Sequence, residues 1–293
     1  MMENSNLKTV LGEIEALRIK RQREFADQPH PCLKRFTQQE LNDEACPTYK
    51  NLLVGRSRRV PNRQTIFDIA EYLECTTDER NDLLVAAGYL PTPTEWEGSA
   101  MELALDAAQR TMKSIPFPAM IITHSLDIKG YNEPFRRLFD IPLDHHYDDN
   151  MMNSVDFHFS YELPIRSRST FNKAACDQWK AHAIAGIQSF KRNHVLSRYD
   201  AWYQKVIDKA EQYNVYEPYW NDHHRDGKGS MDRTQTILAR VESSGELVPV
   251  GYKQISVSPT SHVYPQIVVF LPVDPAARKV FADLGCPSEC VFA

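Results

Sequence analysis

At 293 residues, with 42% hydrophobic and 25% charged side chains, the chain has the composition of a soluble globular protein of roughly two domains. A formal net charge of −5 excludes a global attraction to nucleic acid, so binding of that kind has to rest on a local patch. No apolar run approaches the ~18–20 residues of a membrane span. Met1 to Asn6 form no apolar signal core, and the six cysteines are scattered without a CxxC pair, so reduced thiols in the cytoplasm are expected.

Leu7, Val10, Leu11, Ile14 and Leu17 recur at helical spacing and predict a first helix over 7–24. Two prolines between Asp27 and Leu33 mark a loop. Thr37 and Glu40 have capping-box spacing at the start of a short helix, which Ala45-Cys46-Pro47 breaks, because proline cannot continue a helix and restrains the residue before it. Gly55 is placed to end the next helix in a left-handed cap. Asn62 caps a helix with Ile66, Ile69, Ala70 and Leu73 on one face, and Thr76 with Glu79 opens another before Leu83 and Leu84. These five helices predict a compact bundle over 1–91. Residues 1–91 carry 13 basic against 14 acidic side chains. Basic residues nevertheless cluster at Arg18-Lys20-Arg21-Arg23 and between Lys50 and Arg63. From Ala45 to Phe67 there is no acid, while Lys50, Arg56, Arg58, Arg59 and Arg63 are basic, an arrangement that suits a phosphate backbone.

Residues 92–116 read as a linker and a connecting helix, Ser99 to Lys113, with Ser99 and Glu102 as its cap and Met101, Leu105, Ala108 and Met112 at helical spacing. A second domain over 117–293 opens with strands at 117–123 and 128–131 around the Ser125-Leu126-Asp127 turn. Asn132 then caps a helix carrying Phe135, Leu138 and Phe139. Long helices are expected at 171–192 and 200–213, strands at 234–241, 247–257 and 267–271, and a last helix at 275–284. Two strands, helices and three further strands make an α+β order whose sheet neighbours are joined through a helical middle.

The segment Leu7–Pro91 resembles XRE-type (Cro/repressor-like) DNA-binding domains, through Thr37-Gln38-Gln39-Glu40-Leu41, Gly55 with Arg56, Arg58, Arg59 and Pro61, and Glu79-Arg80, Leu83-Leu84 and Ala87 to Pro91. Phe117–Leu284 resembles the PAS-like ligand-binding domain of MmyB-like transcription regulators, through Phe117-Pro118-Ala119, Asp127, Asn132, Pro218-Tyr219-Trp220 and Gln266 to Phe270. The resemblance implies a multidomain chain: an all-α five-helix helix-turn-helix bundle, then an α+β PAS-like domain with an antiparallel sheet. It also implies a cytoplasmic transcriptional regulator that is a homodimer, reads operator DNA and senses an apolar molecule such as a long-chain fatty acid, with no required cofactor and no enzymatic role. Ala45 to Gly55 is about one turn shorter than the family spacing, which implies a short recognition helix.

Carried over from the resemblance, Thr48, Tyr49, Lys50 and Asn51 are base-reading candidates at the start of that helix. Thr37 and Gln38 suit phosphate contacts at a helix N-terminus, and Arg56, Arg58 and Arg59 would grip the backbone. Ile121, Tyr131, Phe135, Phe139, Ile184, Ile187, Phe190 and Trp220 are candidates for a ligand-lined interior, with Arg192, His194 and Arg225 as candidate anchors for a carboxylate. Asp127 and Asn132 are expected to be structural, in a turn and at a helix cap. The competing reading is a second domain that only dimerises or binds protein and has a filled core. A third, metal-dependent reading needs the loops His145 to Asp149 and Asp222 to Asp226 to converge, and neither has zinc-ligand spacing.

Overall fold

The structure is a computed structural model that describes residues 2–142, 152–213 and 234–287. The chain divides into two compact units: Met1–Thr94 together with Val195–Ala201, and Glu95–His194 together with Trp202–Ala293.

The first unit is helical: α1 (Met2–Glu24), α2 (Gln38–Glu44), α3 (Tyr49–Leu53), α4 (Arg63–Tyr72) and α5 (Thr77–Ala86). α1 starts earlier than its apolar periodicity, since polar residues extend a helix without contributing to its buried stripe. Val10, Ile14, Phe36, Leu41, Tyr49, Ile66, Ile69, Leu73, Leu83 and Leu84 form its core, each at most 0% exposed. Thr37 and Thr76 each close a reciprocal capping box with Glu40 and Glu79, and Asn62 accepts from the Thr65 amide. Gly55 takes the left-handed conformation (φ 73°) just past α3 and Gly88 does so (φ 85°) past α5, where a side chain would be strained. The segment Val195–Ala201 contributes Asp200, whose carboxylate accepts from the Thr77 amide and hydroxyl, both at 2.6 Å. This negative charge sits at the N-terminus of α5, where the helix dipole favours it.

The second unit packs helices on both faces of a five-stranded antiparallel sheet. Its strands are β1 (Ala119–Ile122), β2 (Ile128–Tyr131), β3 (Gln235–Arg240), β4 (Leu247–Val257) and β5 (Gln266–Pro272), in the order β2-β1-β5-β4-β3. Its helices are α6 (Gly98–Met112), α7 (Glu133–Leu138), α8 (Ser154–Phe159), α9 (Pro164–Ser169), α10 (Lys173–Asn193), α11 (Ala201–Gln212, whose first residue is grouped with the first unit) and the closing helix, here α12 (Pro275–Asp283). The first strand of the domain lies beside the last, with Met120 opposite Val268 and Ile121 opposite Ile267, so the helical middle does bridge sheet neighbours.

Alternation divides the sheet into two faces. On one, Ala119, Ile121, Ile267 and Val269 pack with Ala108 and Met112 of α6. On the other, Val268 and Phe270 meet the aromatic core of Phe135, Phe139, Phe157 and Tyr252. α6 does not use the expected Ser99 cap: Glu97 is the N-cap residue, without a side-chain cap bond, and Gly98 starts the helix. α8 and α9 have no counterpart in the sequence pattern, because six residues are too few for a 3.6-residue period to stand out. Asn132 caps α7 and ties its own amide to the Phe117 carbonyl at 2.7 Å, while Asp127 sits in the turn and accepts from Ser125 and Asn153. Both are structural.

Candidate functional site

In the helical unit, hydrogen bonding separates the basic residues into two groups. Arg18 donates to Glu15, Gln22 and the Phe36 carbonyl; Arg21 donates to Glu24, Glu79 and the Leu73 and Glu74 carbonyls; Lys20 pairs with Glu79. Burial pushes the carboxyls of Glu15 and Glu79 up, yet their hydrogen-bonded partners hold both below the ordinary value. Arg18, Lys20 and Arg21 of the α1 cluster are therefore bound up in internal pairing, while Arg23 is exposed. Arg56, Arg58 and Arg59, by contrast, are exposed and form no ion pair among the described residues. Their turn follows α3, where Lys50 and Asn51 are also exposed.

The other DNA candidates are placed as follows. Thr37 is committed to its capping box, and Gln38 donates to Glu15 at 3.0 Å. Thr48 is the N-cap residue of α3 without a side-chain cap bond. Tyr49 is fully buried, and its hydroxyl donates to Glu15 at 2.5 Å, so its ring belongs to the core. Lys50 also reaches Gln39 on α2, which joins the two short helices on their exposed side.

In the α+β unit, a cavity of about 330 Å³ lies between the sheet and the helices α8, α10 and α11. Its floor is Met120 and Ile122 of β1, Gln254 and Ser256 of β4, and Gln266 and Val268 of β5, which share one sheet face. Its roof is Val155, His158 and Phe159 of α8, Ala183, Gly186, Ile187 and Phe190 of α10, and Val206 and Ala210 of α11. The apolar and small α10 contributors recur at 183, 186, 187 and 190, and His182, Ser189 and Asn193 flank them on the same side of the helix. The space exists because that stripe and α11 place small residues over the sheet: Ala183, Gly186 and Ala210. A Cβ built on Gly186 meets nothing within 4 Å. The described lining carries no Lys, Arg, Asp or Glu, and its polar members are Ser, Asn, Gln, Tyr and His. This is the form of a pocket for a largely apolar molecule.

Of the sequence candidates, Ile187 and Phe190 lie on this wall. Phe135 and Phe139 pack against each other, tilted, with ring centroids 4.7 Å apart inside the filled half of the domain. Ile121 faces α6 on the opposite side of the sheet, and Tyr131 packs on Phe135. Ile184 is half-buried outside the described lining, and Arg192 is exposed near the end of α10. Trp220, Arg225 and the two His-containing loops lie outside the described residues. Among the described residues no cluster of three or more potential metal ligands occurs. Sequence reasoning missed His158 and His182, which face each other with ring centroids 5.7 Å apart. His158 lay in a helix too short to be seen, and His182 in a helix read only for its apolar residues. Burial pushes the His158 imidazole down; a bond from its Nδ1 to the Ser154 carbonyl opposes this, and the nearby charge of Arg166 adds to it.

The family model of the MmyB-like transcription regulator ligand binding domain matches residues 105–284, which takes in the sheet, α7 to α11 and every wall of the cavity. No curated protein matches the chain.

His194, at the end of α10, sits among the rings of Phe190, Trp202 and Tyr264. Burial, and then the neighbouring His124, push its imidazole down to about 4. Glu95 approaches at 3.8 Å, but burial raises that carboxyl while depressing the imidazole, so the contact is not an ion pair at neutral pH. A neutral imidazole is what the fold requires. In the unfolded chain the group takes up a proton near 6.5, so its contribution is complete above that pH and is lost as pH falls towards about 4. Replacing His194 with Phe should flatten the decline in stability across that window, by on the order of 2–3 kcal/mol at its acid end. Urea unfolding at pH 7 and pH 4.5 measures this, and an unchanged pH dependence would remove His194 as its source.

Proposed function

The chain belongs to the MmyB-like transcription regulator family through its ligand-binding domain, and we propose that it is an operator-binding regulator governed by an elongated apolar ligand of the acyl-chain class. The cavity carries this reading. It has the size and lining of a ligand pocket, and it stands beside an aromatic core that is already closely packed. The alternative, a domain that only dimerises or binds protein, needs that second half to be filled as well.

The helical unit would bind duplex DNA as an XRE-type helix-turn-helix. α3 would enter the major groove with Lys50 and Asn51 towards base edges, and Arg56, Arg58 and Arg59 would lie along the phosphates. Uncommitted arginines beside a short exposed helix support this, because a phosphate backbone rewards charge that is not already spent on internal carboxylates. A homodimer would pair two such helices on two half-sites. Ligand then acts by preferring one arrangement of the pair, and only by as much as it prefers it.

Changing Arg56, Arg58 and Arg59 together to Ala should weaken binding to all duplex sequences and reduce the slope of log affinity against log salt by about two to three. Fluorescence anisotropy across a salt series reads both quantities, and an unaltered slope would leave the arginines as a solvated turn.

Ile187→Trp should fill the cavity and abolish retention of an acyl ligand while the far-UV spectrum stays native. Burial of ten methylenes gives about 8 kcal/mol before the cost of ordering, enough for native mass spectrometry to detect a retained ligand in the parent. Equal ligand binding by parent and variant would move the site elsewhere. The same spectra should show two subunits, and a monomer at micromolar concentration with and without DNA would exclude the paired-helix arrangement.

A further inference from the structure

The chain crosses between its two units after Thr94, after His194 and after Ala201, so the segment Val195–Ala201 belongs to the helical unit while α10 before it and α11 after it run through the α+β unit. Both of these helices roof the cavity, Phe190 and Asn193 at the end of α10 and Val206 and Ala210 on α11. The connection therefore leaves the cavity roof at Asn193, is fastened to the corner between α4 and α5, and returns to the roof at Val206.

The fastening is dense and largely buried. Asp200 is 8% exposed, and its two carboxylate oxygens accept from the amide and the hydroxyl of Thr77, the first residue of α5. The Ser197 hydroxyl meets the Thr77 hydroxyl at 3.1 Å. Arg80, three residues on and also buried, donates to the Leu196 carbonyl and lies near enough to Asp200 to feel its charge. On α4, Glu71 accepts from the Tyr199 hydroxyl at 3.2 Å and pairs with Arg198. Pulling Asp200 away from Thr77 would leave a buried carboxylate without its donors, so the segment moves with α5 and does not slide over it. The first turn of α5 is tied in turn to α1, because Glu79 holds Lys20 and Arg21.

We propose that this connection is the element through which occupancy of the cavity biases the helical unit, with the Asp200–Thr77 clamp as its joint. The inference rests on the reading of the cavity as the ligand pocket. Small residues on α10 and α11 leave the placement of these helices to whatever fills the space beneath them, and a filled space favours one placement. The two helices share one connection, so that preference arrives at the first turn of α5 and, through Glu71, at the end of α4. α4 begins at Arg63, soon after the turn that carries Arg56, Arg58 and Arg59. Its ten residues make a rod of about 15 Å between that turn and the clamp. The coupling runs both ways: an occupant of the arginine turn changes the affinity of the cavity by the same factor.

The test is hydrogen–deuterium exchange of the full chain with and without decanoate, read by mass spectrometry for the parent, Asp200→Ala, Thr77→Val and Ile187→Trp. In the parent, decanoate at a hundred times its dissociation constant should slow exchange in α10 and α11 by up to about a hundredfold. Peptides from 71–86 should slow with them, by about fivefold or more. In Asp200→Ala and in Thr77→Val the response of α10 and α11 should persist while that of 71–86 disappears. A clamp that is only structural would speed exchange at 71–86 equally with and without decanoate and leave the response there intact, which overturns the proposal. Ile187→Trp fills the cavity without any ligand and should by itself shift exchange at 71–86. Protection confined to α10 and α11 in the parent would overturn the coupling and leave the pocket standing. No response to decanoate anywhere, with Ile187→Trp still shifting 71–86, would overturn the acyl reading of the cavity and keep the coupling. If neither decanoate nor Ile187→Trp alters 71–86, the connection transmits nothing.

Discussion

Strand β5 is the constraint on which the rest of the α+β unit depends. It pairs with β1 on one side and β4 on the other, so it joins the opening of the domain to its end. Because side chains alternate along it, one register fixes both layers at once: Ile267 and Val269 meet α6, while Val268 and Phe270 face the cavity and the aromatic core. A slip of one residue would exchange these two sets. The cavity floor is therefore a consequence of strand pairing.

In the helical unit the organising force is the distribution of carboxylates. Glu15, Glu74 and Glu79 each draw partners from distant parts of the chain: the Tyr49 hydroxyl meets Glu15 beside the local Arg18, Lys34 and the His30 ring meet Glu74, and Lys20 and Arg21 meet Glu79. Partly buried pairs of this kind have to be matched, because a lone charge removed from water is costly. The stretch from Ala45 to Phe67 contains no acid; its Arg56, Arg58 and Arg59 stay exposed, whereas Arg63 donates to the Leu90 carbonyl. The balance of charge over residues 1–91 hides this division completely.

Much of this architecture was legible in the sequence where a rule acts over several residues. The five strands, the capped helices of the first unit and the cap at Asn132 all follow from alternation, side-chain capping and turn chemistry. What was not legible is where small residues meet. Ala183, Gly186 and Ala210 are unremarkable as helix residues, and only the packing of α10 and α11 over β1, β4 and β5 turns them into a void. Phe135 and Phe139 look equally suited to lining a ligand, but they lie where α7 and α8 already supply partners: the two rings pack tilted on each other, Phe135 stacks on Phe157 and Phe139 meets Phe157 edge-on. Tyr49 read as a base contact from its place in the motif; its hydroxyl is within reach of Glu15, and burying the ring against that partner is the stronger demand.

The two halves of the same sheet face are thus alternative answers to one requirement. An apolar face has to be covered, either by side chains from the chain itself or by something brought from outside. Aromatic rings cover the half near Phe270 and reach Met120 and Val268, whereas alanine and glycine leave a space over Ile122, Gln254, Ser256 and Gln266. A ligand in that space would complete the core, and its binding would be linked to the stability of the domain: one present at a hundred times its dissociation constant would add about 2.7 kcal/mol. That increment applies only to arrangements in which the α10 and α11 stripes lie over the sheet. A domain whose own residues filled both halves would hold those helices in place whether or not ligand were present, and it would have nothing to report. On the proposed reading, the small residues on α10 and α11 would make the position of these helices depend on a molecule the chain does not encode.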